Sequence, residues 1–174
     1  VIDLLLIHWP NPLSDLETVM AALDETRERG YTRHIGVSNF GLDRLERARE
    51  LADAPVVTDQ VQFHSFWPQR DLLRYCQAED VLLTAYSPLG HGGLLADSLA
   101  ETIGERYGKT PAQVALRWVI EHDNVVTIPK STSPAHLAEN LDIFDFDLTE
   151  AEHEQLTRAS KLKTGIAWVR GRLG

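Results

Sequence analysis

The sequence predicts an α/β fold of parallel strands and crossover helices, read as five βα units of a (β/α)8 TIM barrel. Two observations predict it. Five short apolar runs, at residues 3–7, 33–37, 56–61, 81–85 and 124–128, alternate with helical stretches, and that alternation makes a parallel sheet. Each run also ends in residues with chemical capacity: His8-Trp9-Pro10, Ser38-Asn39-Phe40, Gln60 to His64, Tyr86-Ser87-Pro88 and Pro129-Lys130-Ser131. Functional side chains collected at the carboxyl ends of parallel strands point to the top face of a barrel. A whole barrel needs eight strands and about 250 residues. This chain of 174 residues offers five strands and opens directly on one.

The elements follow in order. Residues 1–7 are almost continuously apolar, as expected of a strand covered on both faces. Ser14 can cap a helix, with Glu17 completing a capping box. Leu16, Val19, Met20 and Leu23 give a helical stripe that stops at Gly30. Strand two, 33–37, leads into a helix over 42–52 with Leu45, Ala48 and Leu51 on one face. Strand three is 56–63, and a helix over 69–79 carries Leu72, Leu73 and Cys76. Strand four, 81–86, precedes Gly90-His91-Gly92-Gly93 and a helix over 95–107. Thr110-Pro111 places a cap and a first-turn proline, a strong helix start. Strand five is 125–128. Ser133-Pro134 repeats the start signal for a helix to Leu141, and Thr149 with Glu152 boxes a last helix to Lys161. We divide the chain into a barrel portion, 1–164, and an unpatterned tail, 165–174.

Composition excludes several function classes. The 26 acidic and 17 basic residues give a net charge of −9. Nucleic acid and anionic membrane both need a basic face, so neither is expected as a partner. No apolar run approaches the ~20 residues of a membrane span, and no signal peptide is visible at Val1. The lone Cys76 excludes an internal disulfide and fits a reducing, cytoplasmic setting. The seven His residues show no metal-binding spacing, and no Walker loop, nucleophile elbow or Gly-x-Gly-x-x-Gly is present. No metal is expected.

Four strand ends carry the chemistry. His8 can donate to a carbonyl or move a proton, or it is a core histidine satisfied by a backbone carbonyl. Ser38 and Asn39 suit recognition of an amide, or they serve a turn. Tyr86 can present its ring to a planar heterocycle, and the glycines after it let backbone amides approach an anion. Lys130, Ser131 and Thr132 stand just before a helix start. Charge, hydroxyls and free helix amides there make an anion site.

The motifs Leu6-Ile7-His8-Trp9-Pro10, Ile35-Gly36-Val37-Ser38-Asn39-Phe40, Thr84-Ala85-Tyr86-Ser87-Pro88-Leu89-Gly90 and Ile128-Pro129-Lys130-Ser131 resemble the aldo-keto reductases, in that order. The stretch 109–118 and Glu139-Asn140-Leu141 are similar to further signatures of that family. The resemblance runs from Val1 to about Ser160 and implies the last five βα units of a (β/α)8 barrel of the compact microbial type. It implies NADPH-dependent reduction of aldehydes and ketones, with a small-molecule carbonyl as substrate and a monomeric parent. His8 would orient the carbonyl, with Trp9 in the substrate pocket. Ser38, Asn39 and Gln60 would hold the nicotinamide carboxamide, and Tyr86 would stack on its ring. Ser87 and Leu89 would contact the pyrophosphate. Lys130, Ser131 and Thr132 would bind the 2'-phosphate, and Glu139 with Asn140 the adenine of NADP(H).

The sequence departs from the family in three ways. The family's catalytic Asp, Tyr and Lys lie upstream of the His-Trp-Pro motif, outside this chain. His136 stands where members often carry an Arg that grips the 2'-phosphate. The segment 165–174 does not resemble the family's usual ending. The isolated chain is therefore expected to be inactive. The other readings are a nucleotide-binding barrel without catalysis, a truncated product without function, and a phosphate-handling barrel isomerase or aldolase. The last does not explain Ser38-Asn39 together with Tyr86.

Overall fold

Five strands form one sheet in chain order: β1 (Ile2–Ile7), β2 (Thr32–Ser38), β3 (Val56–Gln62), β4 (Leu82–Tyr86) and β5 (Val125–Thr127). The computed structural model describes residues 1–11 and 14–157. The strands are parallel; β1 runs in register with β2 from Ile2 opposite Thr32 to Ile7 opposite Val37. On the other side of β2, Val37 lies opposite Asp59 and Ser38 opposite Gln60, after a register shift that follows Ile35. Strand order equal to chain order, with a helix after each strand, is the arrangement of consecutive (β/α)8 units.

The chain divides into two units, residues 1–61 with 69–84, and residues 62–68 with 85–174. In the first, α1 (Leu16–Glu28), α2 (Leu42–Leu51) and α3 (Arg70–Ala78) bury Met20, Leu45, Ala48, Leu72 and Cys76, and β2 buries Ile35 and Val37. Full burial of each large apolar side chain contributes about 1.5–3 kcal/mol. Asp24 reinforces the packing: its carboxylate accepts from the amides of Asp53 and Ala54 at 2.9 and 3.0 Å, fixing the turn before β3. Gly36 is required by closeness, since a Cβ there would lie 2.6 Å from Leu6 Cδ2 and 2.8 Å from the Thr58 carbonyl oxygen.

In the second unit, α4 (Ser98–Tyr107), α5 (Pro111–Ile120) and α6 (Pro134–Leu141) accompany β5. Fully buried Trp118 is the hub. Its indole stacks on Phe63 at 5.4 Å and on His153 at 5.3 Å, and His122 meets it edge-on at 4.5 Å. The indole N–H donates to the His153 carbonyl and to Thr157 Oγ1. Burial pushes the His122 imidazole down to about 4, so this stack is built from uncharged rings.

Several sequence expectations need correction. The cap of α1 is Asp15, not Ser14: its carboxylate accepts from the Thr18 amide at 3.0 Å and from the Thr18 hydroxyl at 2.7 Å. Helix α4 starts at Ser98 rather than Leu95, because the Asp97 carboxylate caps the Leu99 and Ala100 amides. Among the described residues β1 pairs with β2 and stands at the edge of the sheet, with Ile2 and Leu4 exposed and residues 5–7 half-buried. The other boundaries shift by a residue or two. The Thr149–Glu152 box forms as expected, and Thr110 caps α5 as expected, with Gln113 completing a box that the sequence reading did not name. Residues 150–157 are helical. The rest of that helix and the tail, 165–174, lie outside the described residues.

Candidate active site

In the first unit the register delivers the candidates as neighbours. His8 follows β1, Ser38 ends β2, and Gln60 lies opposite Ser38 on β3. Buried Ser38 donates its hydroxyl to the Gln60 carbonyl at 2.6 Å, and the Asn39 amide donates to the same oxygen at 3.0 Å. Asn39 Nδ2 donates to the His8 carbonyl at 3.0 Å and to Ser38 Oγ at 3.0 Å. Asn39 holds left-handed backbone, φ 62°, a conformation Asn tolerates better than most residues. The result is one network of amide and hydroxyl groups across three strand ends. Such a network can read a primary amide by complementary donors and acceptors. His8 is exposed among the described residues rather than a core histidine, and Trp9 beside it is 62% exposed.

Asp59 lies one residue before Gln60 and is fully buried. Its Oδ1 accepts from the Phe40 amide at 3.5 Å, while its Oδ2 makes no hydrogen bond among the described residues. Desolvation pushes its carboxyl up to about 7, against the opposing effect of the Phe40 amide. Sequence reading missed this group. The available signal was an acid inside a β-branched run, Val56-Val57-Thr58-Asp59-Gln60-Val61, read as a strand.

In the second unit, half-buried Tyr86 ends β4, and Ser87 takes φ 49° directly after it. Leu89 precedes a 3-10 turn, Gly90–Gly92, within which Gly90 and Gly92 also have positive φ. His64 braces this loop: a Cβ on Gly90 would lie 3.5 Å from its ring. Burial holds His64 down at about 4, and Gln62 Nε2 meets its Nε2 at 2.9 Å. Gln62 and His64 thus act on the glycine loop, a role not read from the sequence.

The strand after α5 returns to β4 through the Ile128 amide, which donates to the Ala85 carbonyl at 3.1 Å. Lys130 and Thr132 are exposed beyond it. Ser131 Oγ accepts from the Ser133 amide at 3.1 Å, and Ser133 Oγ accepts from the His136 amide at 3.4 Å, which shapes the α6 entrance. Glu139 accepts from the Thr110 hydroxyl at 2.5 Å. Its carboxylate is thus partly committed to joining α6 to α5. Asn140 lines an apolar cavity of about 810 Å3 with Val125, Thr127, Leu137 and Phe144. A polar cleft of about 730 Å3 opens at the amino end of β3, beside Val56 and the Arg49–Glu79 ion pair, at the opposite end of the strand from Gln60. Among the described residues no cluster could hold a metal ion, and no helix is long and apolar enough to cross a membrane.

Parallel βα units in this order define the class: part of a (β/α)8 barrel. Residues 1–161 match the Aldo/keto reductase family. The chain is 44% identical over 153 residues to an aldo-keto reductase of Mycobacterium avium (strain 104), covering 87% of this chain and 53% of the relative. It is 39% identical over 160 residues to glyoxal reductase of Bacillus subtilis (strain 168), covering 92% and 57%. A solved thermostable aldo-keto reductase in complex with the inhibitor epalrestat superposes with a TM-score of 0.84 at 41% identity, covering 90% of this chain and 59% of that one. A mutant of Gox0644 in complex with NADPH gives 0.83 at 37% identity, covering 91% and 58%. The chain belongs to the aldo-keto reductase family, and it spans a little over half the length of these relatives.

Proposed function

We propose that this chain supplies the cofactor half of an NADPH-dependent reductase of aldehydes and ketones, acting within a complete barrel. The observation that carries the reading is the Ser38–Asn39–Gln60 network beside His8, a primary-amide reader next to a group that can hold a carbonyl. NADP(H) fits what the two units present separately. Ser38, Asn39 and Gln60 would hold the carboxamide, and Tyr86 the nicotinamide ring. Ser87 and Leu89 would approach the pyrophosphate in a loop whose positive backbone angles at Ser87, Gly90 and Gly92 allow a close approach. Lys130, Ser131 and Thr132 would take the 2'-phosphate, and Glu139 with Asn140 the adenine. The bound cofactor supplies the hydride. His8 would donate a hydrogen bond to the substrate carbonyl, with Trp9 beside it. The proton for the alkoxide would come from the family's upstream tyrosine, outside this chain. We place such an enzyme in the cytoplasm, as a monomer.

The test is a complete barrel carrying this sequence, assayed with NADPH and 4-nitrobenzaldehyde by absorbance at about 340 nm. His8→Ala should lower kcat by about 100-fold or more, the usual worth of a positioned proton-transfer or hydrogen-bonding group. An unchanged kcat would remove His8 from the mechanism. The isolated 174-residue chain should show no turnover. Turnover by it that vanishes in His8→Ala would show that these strands suffice.

A further inference from the structure

We propose that Asp59 is a positioning residue for the nicotinamide carboxamide, acting on Ser38 and Asn39 through the Phe40 amide. The proposal rests on the cofactor reading above. Asp59 sits between the two sides of the network. Its backbone continues into Gln60, whose carbonyl receives both Ser38 and Asn39. Its side chain receives the amide of Phe40, the residue after Asn39. A change at this one carboxyl therefore reaches the amide reader from beneath and from the side.

The surroundings decide which form of the acid does this. Asp59 is 0% exposed and pairs with no cation among the described residues. Its titratable neighbour across α3 is the Cys76 thiol, which burial pushes up to about 12, so it is uncharged. Arg49 of α2, the cation that acts on Cys76, donates to Tyr75 and Glu79 at 2.6 and 2.9 Å. From β2 the partner is Val37, and from the turn after it the Phe40 amide. An ionised carboxylate has no compensation in this setting, and such groups neutralise instead. The neutral acid is the packed form; desolvation sets its titration at about 7. Above that pH the buried charge must find water, and the Ser38–Asn39 turn is the segment it is tied to.

If only the neutral form presents the amide reader, apparent affinity falls with the neutral fraction. Between pH 6 and pH 8 the Kd for NADPH should rise up to about 10-fold. The control ligand is 2'-phospho-ADP-ribose, which lacks nicotinamide and shares the titrating 2'-phosphate. Its Kd should change in step with that phosphate alone, so the ratio of the two constants isolates the carboxamide. Fluorescence titration of a complete barrel carrying this sequence reads both. In Asp59→Asn, which keeps shape without ionising, the ratio should be flat with pH and close to the wild-type value at pH 6. A wild-type ratio independent of pH overturns the role of Asp59 and leaves the cofactor site standing. That measurement suffices even if the variant does not fold. Ratios that vary equally in both proteins also overturn it. NADPH binding no tighter than 2'-phospho-ADP-ribose in either protein, at any pH, overturns the carboxamide site and Asp59 with it.

Discussion

Lys130 and His136 decide how a 2'-phosphate is met at the entrance of α6. Both are exposed, and Ser131 and Ser133 spend hydroxyls on the loop and the helix cap. Lys130 is then the mobile charge of the group, worth about 1.5–3 kcal/mol as a charged hydrogen bond to phosphate. In a complete barrel, Lys130→Ala should weaken NADPH by about that amount and NADH much less; equal losses in a fluorescence titration would separate Lys130 from the phosphate. His136→Arg should raise selectivity for NADPH, since a guanidinium gives two parallel bonds and stays charged. Selectivity unchanged by that substitution would place His136 outside the site.

At the scale of elements, the α5 entrance does two jobs. Thr110 Oγ1 accepts from the Gln113 amide, the Thr110 amide donates to Gln113 Oε1, and the Thr110 hydroxyl donates to Glu139 of α6. Thr110→Ala should cost about 1–2 kcal/mol, the worth of a good cap, read as a lower urea midpoint. It should also release Glu139, so cofactor affinity would change with stability. Gly36 makes the opposite point in β2. An added methyl would press on Leu6 and on the backbone oxygen of Thr58 at once. Leu6 can rotate and the backbone cannot, so Gly36→Ala should destabilise by about 1–3 kcal/mol through overpacking. A neutral result in thermal unfolding would mean that β1 and β3 can separate around that position.

For the whole molecule, the buried titratable groups oppose one another. His64 and His122 fall from 6.5 to about 4, and His153 is also lowered, each by desolvation first. Between about pH 6.5 and 4 the unfolded chain takes protons that the folded chain refuses. Their contribution is complete above pH 6.5 and is lost on acidification. Asp59 has the reverse sign. Its folded value of about 7 exceeds 3.8, so its contribution is complete below pH 4 and is lost as pH rises through 7. Two to three histidines outweigh one acid below pH 6.5, and Asp59 alone acts from 6.5 to 7. Thermal stability should therefore peak near pH 6.5 and fall most steeply toward pH 4. Asp59→Asn should flatten the alkaline side. A midpoint temperature that rises on acidification from pH 6.5 would contradict this ordering.

The order of strands, their parallel sense and the groups at their ends were legible in the sequence. Period, caps and breakers are local properties: Thr110-Pro111, Ser133-Pro134 and the run before His8 each report on their own few residues. Family motifs then joined them, from Leu6 to Leu141. Tertiary structure decided what depends on neighbours far along the chain. The cap of α1 passed from Ser14 to Asp15, because only the geometry of the turn selects between adjacent acceptors. Glu139 was drawn to Thr110, and Trp9 stands in the open. Asp59 shows the difference most fully. Its letter predicts a charge, and burial among Phe40, Val37 and Cys76 makes the uncharged acid the stable form, because the energy of a charge is set by its surroundings in space.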